Sequence, residues 1–162
     1  AIEALEHLVG AKGRLELVAQ SGDRAVFVDY AHTPDALENA LRALRPFAAG
    51  KLMVVFGCGG DRDAGKRPLM GKIATDLADV TVVTDDNPRT ENASDIRAQI
   101  MASAPGAVEV ADRAAAIRLA IAEMGDQDVL LVAGKGHEDY QIIGRTKHHF
   151  SDHEMVLEAF GR

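Results

Sequence analysis

The sequence predicts an α/β fold, a Rossmann-like open and mostly parallel sheet with helices on both faces. Three observations predict it. Four short apolar, β-rich runs at 25–28, 52–56, 80–84 and 129–133 are each bounded by turn residues. Helical patterns lie between them, as parallel strands require, because such strands need long crossover connections. Each run leads into a polar segment, DYAHTPD, GCGGDRDAGKRP, TDDNPRTEN or AGKGHEDY. These segments therefore share one edge of the sheet, the edge at which ligands of such sheets bind.

In chain order, a short run at 15–18 predicts an additional strand before the strong one at 25–28. Thr33-Pro34-Asp35 opens the first helix: the Thr33 hydroxyl can accept from free backbone amides and Pro34 suits the first helical position. Leu37, Leu41 and Leu44 form its buried stripe. The run LMVVF at 52–56 is apolar throughout, as a strand covered on both faces is. A helix over 68–77, the strand 80–84, a helix over 93–103 and a short strand at 108–110 follow. Asp112 caps a helix that runs to about 124, ahead of the strand 129–133. A further short strand is expected at 141–143, and Ser151-Asp152-His153-Glu154 reads as a capping box for the last helix.

The chain has 162 residues, 47% hydrophobic and 27% charged, enough for the core of one domain. Its 18 basic and 25 acidic residues give a net charge of −7, which disfavours nucleic acid and anionic membrane as partners. The single cysteine, Cys58, can form no internal disulfide and suits a reducing, cytoplasmic location. No apolar run approaches the roughly 20 residues of a membrane helix. The opening AIEALEHLVG lacks a cleavage signature and an initiator Met, so the chain is expected to be part of a longer protein. His148, His149 and His153 do not make a metal set and are expected to be exposed; no metal site is predicted.

Gly60 to Lys66 matches the opening of a phosphate-binding P-loop, but Arg67 stands where the magnesium-binding Ser or Thr belongs, and Asp61 and Asp63 would lie beside the phosphates. A glycine-rich turn that presents Arg62 fits better. In Asp85-Asp86-Asn87-Pro88-Arg89, Pro88 pushes Asn87 toward an extended conformation and so fixes the turn. Arg89 can fork onto a carboxylate, while Asp86 and the Asn87 carbonyl can accept from an ammonium, a set that suits an amino acid. The bland alternative is an Asx-Pro turn ahead of a helix. Gly134 and Gly136 allow close backbone approach to a ligand, with Glu138 facing a cation. The alternative there is a flexible loop with Lys135 and Glu138 in solvent. Asp29, at a strand end, is placed to accept from a ribose, and Tyr30 and His32 to pack on or bond a base. His32 also reads as a loop histidine bonded to the backbone.

Taken together, GRLE at 13–16, DYAHTPDAL at 29–37, FGCGGDRDAGKRPLMG at 56–71, TDDNPRTE at 84–91 and AGKGHEDYQ at 133–141 resemble the C-terminal domain of the Mur ligases, in order and over nearly the whole chain. The DNPR run is similar to that of the members that add meso-2,6-diaminopimelate to UDP-N-acetylmuramoyl-L-alanyl-D-glutamate in peptidoglycan synthesis. The resemblance implies that 14–162 is this domain and 1–13 a connection from a central domain. It also implies that Arg62, Asp86, Asn87, Pro88, Arg89, Gly134 and Glu138 bind the incoming amino acid. Arg14 would approach the ATP phosphates, and Asp29, Tyr30 and His32 the rest of the nucleotide. ATP and magnesium would be held mainly by the central domain, and the catalytic groups would lie outside this chain. Diaminopimelate, ATP and the UDP-muramoyl dipeptide are thus the implied partners of an ATP-dependent acid–amino-acid ligase. Lysine-adding or folylpolyglutamate-type ligases, and a non-catalytic amino-acid or nucleotide sensor, are the competing readings.

Overall fold

The computed structural model describes residues 15–161. The connecting segment expected at 1–13 and the phosphate role expected of Arg14 lie outside the described residues.

The elements in order are β1 (Glu16–Ser21), β2 (Arg24–Asp29), α1 (Pro34–Leu44), a single 3-10 turn (Arg45–Phe47), β3 (Leu52–Phe56), α2 (Lys66–Leu77), β4 (Val80–Val83), α3 (Ala93–Met101), β5 (Val108–Glu109), α4 (Arg113–Glu123), β6 (Val129–Ala133), β7 (Tyr140–Ile143), β8 (Thr146–His149) and α5 (Asp152–Phe160). The main sheet runs β1-β2-β6-β3-β4-β5. Only β1 is antiparallel, turning into β2 through Gly22, whose φ of 61° suits a residue without a Cβ. The remaining pairs are parallel.

Period-2 alternation divides the core into two layers. Phe27, Val54 and Leu131 pack with Leu37, Leu41 and Leu44 of α1, Met70 and Ala74 of α2, and Ile96 and Ile100 of α3. Val28, Val55 and Val132 face the other way, against Ile117 and Ile121 of α4 and Val156 of α5. Helices on both faces explain why LMVVF and VLLVA are apolar at every position.

The predicted caps form: Thr33 accepts from Ala36 N, Asp112 from Ala115 N and Ser151 from Glu154 N. The reciprocal half of the capping box does not, because Glu154 turns to His149 Nε2 at 2.6 Å. Helix α2 begins at Lys66, two residues ahead of the expected start. Pro68 is then its third residue, where no intrahelical N–H bond is needed. The strand expected at 141–143 leaves the main sheet and pairs with β8 in a separate hairpin. The sequence reading missed β8, because TKHH is exposed throughout and carries no apolar alternation. His148 and His149 are exposed, but His153 is half-buried and bonds Glu16, tying α5 to β1.

Candidate functional site

Because β6 inserts between β2 and β3, the loops after all three meet the loop after β4 at the carboxyl edge of the sheet. They enclose a cavity of about 360 Å³. Of the residues expected to bind an amino acid, Arg62, Asp86, Asn87, Arg89, Gly134 and Glu138 line it, joined by Tyr30 and His32 from the nucleotide group. Pro88 does not line the cavity; it is buried, and its carbonyl packs on Gly60. Gly59, Lys66 and Tyr140 also line the wall, though no role was predicted for them. All three lie inside runs the sequence had singled out, so their position, not their type, was the missing signal.

The glycine-rich turn exists to lie against the turn after β4. A Cβ on Gly57 would stand 2.2 Å from Thr84 O, and one on Gly60 1.8 Å from Pro88 O. Gly60 N donates to Asn87 O at 2.8 Å, and Arg89 Nη1 to Gly60 O at 3.0 Å. Asp61 accepts from Thr90 N and Oγ1. Arg67, without exposed surface, donates to Glu91 Oε2 at 2.6 Å, Gln99 Oε1 and Gly59 O. The P-loop likeness therefore ends in a structural arginine, where a phosphate loop would place its metal-binding hydroxyl.

The opposite wall is held from within by Lys135. The solvated lysine of the bland reading is not what forms: Lys135 is 0% exposed. Its Nζ donates to Asn87 Oδ1 at 2.9 Å and Tyr140 O at 3.0 Å, and lies 3.0 Å from Asp86 Oδ1. Asn87 Oδ1 also accepts from Ile142 N at 3.0 Å. The Asn87 carbonyl, read as an acceptor for a ligand ammonium, is thus engaged inside the protein, because the β7 backbone reaches it first. The hairpin continues the grip: Gln141 Nε2 donates to Asp86 O, Arg89 N to Ile142 O, and Gly144 N to Arg89 O. Arg89 adopts φ 52°, a left-handed conformation that these bonds hold in place.

The cavity has two electrical sides. Arg62 and Arg89 flank Gly59, with Lys66 beside them. Facing them are Asp86 and Glu138, with Tyr30 and Tyr140 beside Glu138: burial, then the Glu138 charge, raises the Tyr30 phenol, and the Glu138 charge leads the rise of the Tyr140 phenol. Burial alone would push the Asp86 carboxyl up, but the charges of Lys135, Arg113 and Arg89 outweigh it and hold Asp86 below the ordinary range. Glu138 is shifted the other way, first by burial and then by the Asp86 charge. Arg113 supports the floor, donating to Asp85 O, Ala133 O and both oxygens of Asp152.

A second cavity, of about 260 Å³, lies beside the first and is lined by Asp29, Tyr30, Ala31, His32 and Ala36. The Tyr30 and His32 rings are tilted against each other with centroids 4.6 Å apart, and His32 Nδ1 bonds Tyr30 O at 2.8 Å. Asp29 accepts from Leu15 N and, at 2.7 Å, from Ala31 N, so both its oxygens are engaged by the main chain. Among the described residues no group of three or more His, Cys, Asp or Glu side chains is gathered to hold a metal.

An α/β domain with a bipolar pocket at the carboxyl edge of a mostly parallel sheet is the class this geometry defines. The chain belongs to the family described as Mur ligase, glutamate ligase domain, which matches residues 13–136. It is 59% identical over 160 residues to the UDP-N-acetylmuramoyl-L-alanyl-D-glutamate--2,6-diaminopimelate ligase of Agrobacterium fabrum, covering 98% of this chain and 33% of that protein. To the ligase of the same name from Mesorhizobium japonicum it is 61% identical over 160 residues, with the same coverage. A solved structure of a ligase of that name superposes with a TM-score of 0.87 at 41% identity, covering 99% of this chain and 34% of the other. A bifunctional folylpolyglutamate synthase/dihydrofolate synthase from Yersinia pestis shares the fold, with a TM-score of 0.62 at 24% identity over 77% of this chain and 28% of the other. The chain spans about a third of the length of the curated relatives it matches.

Proposed function

We propose that this chain is the acceptor-binding domain of a cytoplasmic, ATP-dependent ligase that joins meso-2,6-diaminopimelate to UDP-N-acetylmuramoyl-L-alanyl-D-glutamate in peptidoglycan synthesis. The observation that carries the reading is the cavity itself, which sets Arg62 and Arg89 against Asp86 and Glu138. One end of diaminopimelate is a carboxylate and an ammonium on one carbon, and this cavity offers a guanidinium for the first and carboxylates for the second. L-Lysine lacks the distal carboxylate, so the half-buried Arg89 guanidinium, bonded to Gly60 O through one nitrogen, would gain no carboxylate for the rest of its fork.

In the reaction proposed, ATP transfers its terminal phosphoryl group to the dipeptide carboxylate, the diaminopimelate amine attacks the resulting acyl phosphate, and ADP and phosphate leave as the amide forms. This domain holds the amine in near-attack geometry by gripping the far end of the molecule. The second cavity, with its Tyr30 and His32 rings, suits a nucleotide base and ribose. Magnesium would be held by groups outside the described residues.

Titration calorimetry of this chain with meso-diaminopimelate and with L-lysine tests the reading. Saturable binding of diaminopimelate without lysine binding is expected. Equal binding of the two, or use of lysine in place of diaminopimelate by the full-length ligase, would overturn it.

A further inference from the structure

Lys135 is the one lysine among the described residues that is fully buried, and the amino-acid reading of the cavity gives it no ligand to touch. An ammonium has three donor hydrogens. Here three acceptors surround it: Asn87 Oδ1, Tyr140 O and Asp86 Oδ1, each within 3.0 Å. It therefore joins the turn after β4 to the first residue of β7 and presents no free face to the cavity.

We infer that Lys135 is a positioning residue for acceptor recognition, acting through Asp86. The inference rests on the amino-acid reading of the cavity. Asn87 keeps its bond from Ile142 N whether or not Lys135 is present. Asp86 depends on Lys135 far more, since it is buried and its Oδ1 has no other partner. Besides Lys135, the charged and titratable groups that face Asp86 are Arg113 from α4, Arg89 from its own turn, Glu138 from the loop after β6, Tyr30 from the loop after β2 and Cys58 from the loop after β3. Removing the nearest cation lets burial push the Asp86 carboxyl up, so it becomes neutral where an ammonium ligand needs it charged.

The test compares the full-length ligase with its Lys135→Met, Asp86→Asn and doubly substituted forms, reading KM for whichever amino acid the wild type adds and, separately, for ATP. A wild type that adds another amino acid sinks the functional reading while leaving Lys135 testable. Lys135→Met should raise the amino-acid KM about tenfold or more, the loss of one charge-assisted hydrogen bond, and leave the KM for ATP unchanged. Raising the pH should recover part of that loss, because Asp86 ionises again; the wild type should show no such recovery. The double variant, which leaves no unpaired buried charge and keeps the test alive should Lys135→Met fail to fold, should match Asp86→Asn within about twofold. An unchanged amino-acid KM, a loss shared equally with ATP and insensitive to pH, or a double variant that loses much more than Asp86→Asn would each overturn the role.

Discussion

Arg113 and Asp152 meet with no exposed surface on either side chain, Nε to Oδ1 at 2.8 Å and Nη2 to Oδ2 at 2.7 Å. The pair joins α4 to the first residue of α5, and its remaining bonds, to Asp85 O and Ala133 O, fix the ends of β4 and β6 beneath the cavity. Asp152→Asn leaves a buried guanidinium without its counter-charge and should cost about 3–5 kcal/mol in urea denaturation. Replacing both residues, as Arg113→Met with Asp152→Leu, should cost much less, since no unpaired charge remains.

Gly60 and Gly106 should respond differently to a single methyl group. Gly106 has φ +83° with open space around its would-be Cβ, so Gly106→Ala carries only backbone strain, about 1–2 kcal/mol, and leaves ligand binding untouched. Gly60→Ala drives a Cβ into Pro88 O, must part the two turns that carry Arg62 and Arg89, and should cost about 3 kcal/mol. It should also abolish calorimetric binding of diaminopimelate. Equal effects of the two substitutions would mean that the close contact between the turns is not rigid.

Arg89→Lys keeps the charge and loses the fork. In the full-length ligase it should raise the KM for diaminopimelate about tenfold or more, with the KM for ATP unchanged, because an ammonium cannot bond both a carboxylate and Gly60 O in the guanidinium's plane.

Glu138 and Asp86 should give opposite pH signatures. The folded value of Glu138 lies above the ordinary 4.5, so the folded chain binds that proton more tightly than the unfolded one, and its ionisation costs stability as pH rises above 4.5. Glu138→Gln should therefore melt higher than wild type at pH 7, with the gap closing as pH falls toward 4.5, while binding diaminopimelate less well. Asp86 lies below the ordinary 3.8; its contribution is present above that value and is lost as pH falls through the lower folded one.

β3 and β6 were legible because both their faces are covered, and a fully covered strand is apolar at every position; β2 and β4 were legible from their β-rich apolar centres, although Thr81 interrupts β4. Thr33, Asp112 and Ser151 were legible because capping is local: the residue type and the next three positions decide it. The hairpin of β7 and β8 was not, since what holds it is main-chain bonding to Asn87 and Arg89, distant in sequence and silent in hydropathy. Lys135 shows the same limit. A lysine between two glycines looks solvated unless one knows that three acceptors from two other segments converge on it. Which loops line the cavity was readable from their residues, whereas the engagement of Asn87 Oδ1 by Lys135 and Ile142 depends on how two loops touch.

At the β5 side the sheet ends in a strand of two residues, Val108–Glu109, and Glu109 is held by Arg97 Nε at 2.8 Å. A pairing edge that short gives an incoming chain too few amides and carbonyls to register against, and the charged side chain beside it repels a flat, apolar partner. Crowded at high concentration, the domain is guarded on this flank against growing by strand addition into fibres.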